Sequence, residues 1–84
     1  MKHELMIWVA QKLLMTEEVR DIGIEQALAL CRANGCEYSL NLVDDIHTAN
    51  LYRIGSVEME MEYAQDADAT VAVLGALKKV LEKR

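Results

Sequence analysis

The stretch that decides the fold is Ser56–Asp66, SVEMEMEYAQD. Within it Val57, Met59, Met61 and Tyr63 alternate with Glu58, Glu60 and Glu62. A period of two marks an extended strand with one covered and one wet face, because successive side chains of a strand point to opposite sides. A helix would scatter these glutamates around its circumference. The expectation is a strand with its methionines and tyrosine turned inward and the three glutamates in line outside.

Moving towards the N-terminus, residues 36–43, CEYSLNLV, alternate again: Cys36, Tyr38, Leu40 and Leu42 against Glu37, Ser39 and Asn41. Between the two alternating runs lies NLYRI, followed by Gly55-Ser56. Gly-Ser between strand-like runs fits a two-residue type II′ hairpin, with Gly55 taking the positive φ. That turn pairs Ile54 with Val57, Arg53 with Glu58, Tyr52 with Met59 and Leu51 with Glu60. Residues 44–50, DDIHTAN, are left as the connection between the first two strands.

The C-terminal residues 66–84 read as a helix. Asp66 or Asp68 can cap it, and Ala69, Val73, Ala76, Leu77, Val80 and Leu81 form its apolar stripe. Lys78, Lys79, Lys83 and Arg84 stand where the helix dipole favours cations. Gly75 costs about 1 kcal/mol against alanine in a helix interior, which a close approach to the sheet would justify. Residues 24–34 form another helix, burying Ala27, Leu28, Leu30 and Cys31, with Gly35 as its C-terminal stop. Thr16 before Glu17 and Glu18 is an N-cap signal, yet Gly23 interrupts the run; one bent helix and two short ones both fit. In the first fifteen residues LMIWV has strand chemistry, while Met6, Val9, Ala10, Leu13 and Leu14 have helical spacing, and the Ala/Gln/Lys/Leu content after Trp8 tips the reading to helix.

The fold class is therefore α+β, a single domain over residues 1–84 with order α(α)βββα: a three-stranded antiparallel sheet carrying its helices on one face. The expected solvent face holds Glu58, Glu60, Glu62, Arg53, Glu37, Ser39 and Asn41. This element order is that of a double-stranded RNA-binding domain. There the last helix starts with basic residues, whereas AQDADATVA here offers two aspartates and no lysine, so the likeness ends at element order.

Charge bounds the function. The net charge is −5, concentrated in residues 36–68, where Arg53 alone stands against eight carboxylates for a net of −7. Such a block disfavours direct nucleic-acid binding, which draws its affinity from neutralised phosphates. No apolar run is long enough to span a bilayer, and Glu4, Gln11 and Lys12 break any signal-peptide core, so the expectation is a cytoplasmic protein. Cys31 and Cys36 are read as thiols packed as small hydrophobes, and only His3 and His47 could join them on a metal, in no finger-like spacing. The four glycines are scattered, so no phosphate-cradling loop exists, and no cofactor is expected. His47 beside Asp44 and Asp45 is the sole general-base candidate. It lies in a segment with little room for a cleft, so no enzyme is expected.

What remains is recognition. Alternate residues of a strand are about 6.6–6.8 Å apart, close to the phosphate repeat of a nucleic-acid strand. The functional expectation is a small acidic interaction protein that binds, and inhibits or regulates, a basic nucleic-acid-handling protein. The contact would be a carboxylate-rich sheet face of Glu58, Glu60, Glu62, Glu37, Asp44 and Asp45, a nucleic-acid mimic of the general type of phage inhibitors. The alternative is a homodimer or larger assembly formed through an open strand edge or the Trp8 segment, with acidity serving solubility alone.

Overall fold

The tightest described turn of the chain is at Asp44-Asp45, where both central residues take positive φ, 52° and 63°. That is the requirement of a type I′ turn, whose twist matches that of the strands it joins. It connects β1 (Cys36–Val43) to β2 (Ile46–Ile54), and β3 (Met59–Asp66) completes the sheet. The sheet is antiparallel throughout, in spatial order β1-β2-β3. The computed structural model describes residues 2–54 and 59–83. The Gly55-Ser56 turn and Glu58 lie outside the described residues.

Two expectations about the strands are corrected. Residues 46–50 are strand, not connection, because two aspartates suffice to reverse the chain. The β2–β3 register is also displaced by two: Ile54 faces Met59, Arg53 faces Glu60, Tyr52 faces Met61 and Leu51 faces Glu62. A shift of two leaves every side chain on its own face, so alternation alone cannot detect it.

Three helices join the strands in the order α(α)βββα, an α+β fold. α1 (Lys2–Trp8) runs on into a π-helical turn, Val9–Leu13, with wide closures from Leu14 N–H to the Val9 carbonyl and from Thr16 N–H to the Ala10 carbonyl, both 2.9 Å. Helical spacing thus prevails over the strand chemistry of LMIWV: Leu5, Met6, Val9 and Ala10 are buried together. Residues 14–23 are irregular, so Thr16 starts no helix, although its hydroxyl accepts the Glu18 N–H at 3.2 Å. α2 (Ile24–Ala33) begins at Gly23, where Gln26 accepts the Gly23 N–H at 3.4 Å. It ends at Gly35, whose φ of +75° supplies the left-handed residue that releases the chain into β1.

α3 (Ala69–Glu82) is the centre of the fold. Asp68, not Asp66, is its cap, with its carboxylate accepting from Thr70 N–H at 2.9 Å and Val71 N–H at 3.4 Å. Asp66 holds the cap in place by accepting the Asp68 N–H at 2.9 Å. Burial extends beyond one stripe to Val71, Ala72, Val73, Leu74, Ala76, Leu77 and Val80, because α3 is covered by β2 and β3 on one side and by α1 and α2 on others. Gly75 lies where an added Cβ would stand 3.3 Å from the Cβ of Ala64, so two small residues set the distance between α3 and β3. Among the described residues no helix is long and apolar enough to cross a membrane.

Candidate interaction surface

The helices settle which sheet face is covered. Cys36 on β1 and Ala49, Leu51 and Arg53 on β2 are buried beneath them, and Ala64 on β3 meets α3. Strand parity then assigns Glu60 and Glu62 to the same side as Ala64. The glutamates expected in solvent therefore turn towards the helices. Met59, Met61 and Tyr63, expected in the core, stand on the open face with 61%, 54% and 57% of their surface exposed.

The two carboxylates are held in ion pairs. Glu60 Oε1 accepts from Arg53 Nε at 3.1 Å and from its Nη2 at 2.5 Å. Arg53 is only 7% exposed, and its Nη1 has no hydrogen-bond partner among the described residues. A buried guanidinium needs a counter-charge, since an isolated ion in a low-dielectric interior is costly. This demand, together with the small-residue contact at Ala64, explains why the apolar side of VEMEMEY faces outward. Glu62 Oε2 pairs with Lys83 Nζ at 2.5 Å, tying β3 to the C-terminus of α3. Lys79 Nζ donates to the Tyr63 carbonyl at 2.9 Å and stands 5.5 Å from the centre of the Tyr63 ring. A lysine so placed also occupies part of the outer edge of β3.

The other described residues expected in the contact are exposed. Glu37 is exposed on the open face near the start of β1, and Asp44 and Asp45 are exposed at the hairpin tip. The structure brings none of them beside Glu60 or Glu62, which lie on the opposite face. His47 is not in a loop but on β2, with Asp66 as its register partner on β3. Its neighbour Thr48 points to the opposite face, where its hydroxyl accepts from Gln65 Nε2 at 3.0 Å. Trp8 is half-buried against the core.

The open face has a definite chemistry. Met59, Met61 and Tyr63 line β3, Tyr52 stands beside Met61 on β2, and Val43 and Ile46 sit beside the hairpin tip. Between these apolar groups lie Ser39, Asn41, Thr48 and Asn50. Such a surface offers adaptable thioethers, aromatic rings and hydrogen-bonding groups together. On the helix side, a groove of about 570 Å³ runs between α1, β3 and α3, floored by Leu5, Ala64, Val71 and Gly75 and rimmed by Lys78 and Lys79. Lys78 is occupied by Glu82 at 3.5 Å.

Neither cysteine is in a disulfide, and both are buried. Burial, with a smaller contribution from nearby Cys36, pushes the Cys31 thiol up to about 12, so it is not a nucleophile near neutrality. Among the described residues no group of His, Cys, Asp and Glu side chains could hold a metal ion. Comparison with protein-family models, curated proteins and solved structures finds no match to this chain.

One signal in the sequence could have placed the open face correctly. Gly75 calls for a small residue opposite it, and the small residue of β3, Ala64, is in phase with Glu60 and Glu62.

Proposed function

We propose that this protein is a non-enzymatic interaction module that binds another protein surface through the open face of its sheet. The observation that carries the reading is the row Met59, Met61 and Tyr63, each more than half exposed on a face that no helix covers. Scattered exposed apolar residues are ordinary, but a contiguous row with Tyr52 beside it has the character of a contact surface. The position of His47 on a strand, facing away from Thr48, gives no support to a catalytic reading.

A second reading keeps the acidic residues as the contact for a basic, nucleic-acid-handling partner. It is supported by the net charge of −5 and by Asp44, Asp45 and Glu37 standing exposed. Glu60 and Glu62 support it less, since Arg53 and Lys83 already neutralise them.

Capture from cell lysate on immobilised protein separates the two. On the first reading, a protein retained by the parent chain at about 300 mM salt is lost with Met61→Lys, because the contact is apolar and weakly screened. On the second, the retained protein is released between about 50 and 300 mM salt and is lost with the Asp44→Asn/Asp45→Asn double variant. Retention that is equal on all three baits overturns the first reading.

A further inference from the structure

We infer that the occupant of the open sheet face is a second copy of this chain, the two sheets packing face to face with their helices outside. The inference rests on the reading of that face as the contact surface, and it names the partner.

Charge is the first argument. The chain carries a net charge of −5, so two copies repel one another over most of their surface. Of the strand residues on the open face, Glu37 is the one ionisable side chain among the described residues apart from the weakly acidic tyrosines, and Lys79 Nζ reaches the β3 edge, 5.5 Å from the Tyr63 ring. The glutamates of β3 turn away from it, and Asp44 and Asp45 lie at its rim. On this surface two acidic copies meet with few opposed like charges.

Geometry is the second. A twofold axis lying between two packed sheets and running across the strands stacks β3 on β3 in antiparallel order. With the axis at the level of Glu62, Met61 of one copy lies over Tyr63 of the other, and the reciprocal contact follows from the symmetry. Sulfur against an aromatic ring is a favourable pairing. The same operation carries Asn50 over Tyr52, giving a hydrogen-bonding group to each tyrosine hydroxyl.

Area sets the strength. Each side chain of a sheet face stands on a cell of about 6.8 by 4.8 Å, roughly 33 Å². The dozen or so described residues of this face therefore span about 400 Å² of flat area. A standard interface buries about 800 Å² of accessible surface per partner, so this face supplies a contact at the small end of the range. The dimer is accordingly a weak association that populates with concentration.

The test is sedimentation equilibrium on the parent chain from about 10 μM to 1 mM, in low salt and in about 0.5 M NaCl. The expected result is a mass that rises from 9.5 kDa towards twice that value, with the dimer kept or strengthened at high salt. Met61→Glu is expected to weaken association at least about tenfold, since the symmetry places the new charge in the contact twice. Met15→Glu, in the irregular segment outside the sheet, is the control and leaves association unchanged. Met61 is exposed in the monomer, so circular dichroism and urea unfolding of Met61→Glu at low concentration are expected to match the parent.

A chain that stays at 9.5 kDa up to 1 mM overturns the inference, as does a dimer that Met61→Glu leaves intact. The lysate capture keeps the two claims apart. A monomeric chain whose captured protein is lost with Met61→Lys removes the second copy but not the contact face; a chain in which neither assay responds to residue 61 removes both.

Discussion

Removing Glu60 tests the arrangement of the sheet most directly. Glu60 supplies the counter-charge of Arg53, whose side chain is 8% exposed, while that of Glu60 is 26% exposed. Breaking a fully buried pair by deleting one partner costs about 3–5 kcal/mol. Water reaches Glu60, so a loss below that range, about 2–3 kcal/mol, is expected for Glu60→Leu. Arg53→Met is expected to cost less, about 1 kcal/mol, because it also removes the unpartnered Nη1, and Glu60 can turn to solvent. The double variant replaces the pair with apolar side chains and is expected to fall near the parent or above it.

A chain of this length has a total stability of about 4–13 kcal/mol, so the Glu60→Leu loss takes a large part of it. It should lower the thermal midpoint by roughly 10–20 °C. Urea unfolding of all four proteins, with equal slopes, gives the coupling energy directly. Were Glu60 on a solvent face, Glu60→Leu would change stability by less than about 0.5 kcal/mol. That result, or an Arg53→Met cost exceeding that of Glu60→Leu, refutes the placement of the glutamates.

Two further predictions concern the ends of elements. Burial pushes the Asp68 carboxyl up, but hydrogen bonds from Lys2, Val71 N–H and Thr70 N–H, with the Lys2 charge, outweigh it and hold it below the ordinary 3.8. The folded value is the lower one, so this stabilisation is complete above the unfolded value and is lost as pH falls through the folded one. Asp68→Ala should cost about 1 kcal/mol at pH 7, and urea titrations should show that difference shrinking as the pH falls below the ordinary 3.8. At the hairpin tip, Asp44→Asn with Asp45→Gly supplies the residues that a type I′ turn prefers and removes two adjacent charges. It should raise the thermal midpoint by several degrees, about 1 kcal/mol, and an unchanged or lowered midpoint would contradict the positive φ values at both positions.

Much of the architecture is legible in local pattern. Gly35 as a helix stop, the aspartate cap before ATVAVLGALKKVL and the alternation of CEYSLNLV and MEMEY all report backbone geometry that neighbouring residues enforce. The β1–β2 turn was less legible, since two aspartates with positive φ are uncommon beside the Asn-Gly and Asp-Gly pairs that usually mark such turns. Residues 46–50 consequently read as a connection. The irregular path of residues 14–23 carries no period at all, and a good capping residue at Thr16 cannot start a helix without packing to sustain it.

Alternation, charge and capping by themselves determined the α(α)βββα order, the strand character of residues 59–63 and the acidic balance, because these follow from chain geometry and composition. Tertiary structure decided which side of the sheet is the inside. A strand with Met and Tyr on one face and Glu on the other satisfies the period of two equally well in either orientation. The choice was made by two distant demands: the counter-charge for the buried Arg53, and the room Gly75 leaves for Ala64 beneath α3. Both are contacts between elements far apart in sequence, and they turned the glutamates towards the helices and the methionines towards solvent.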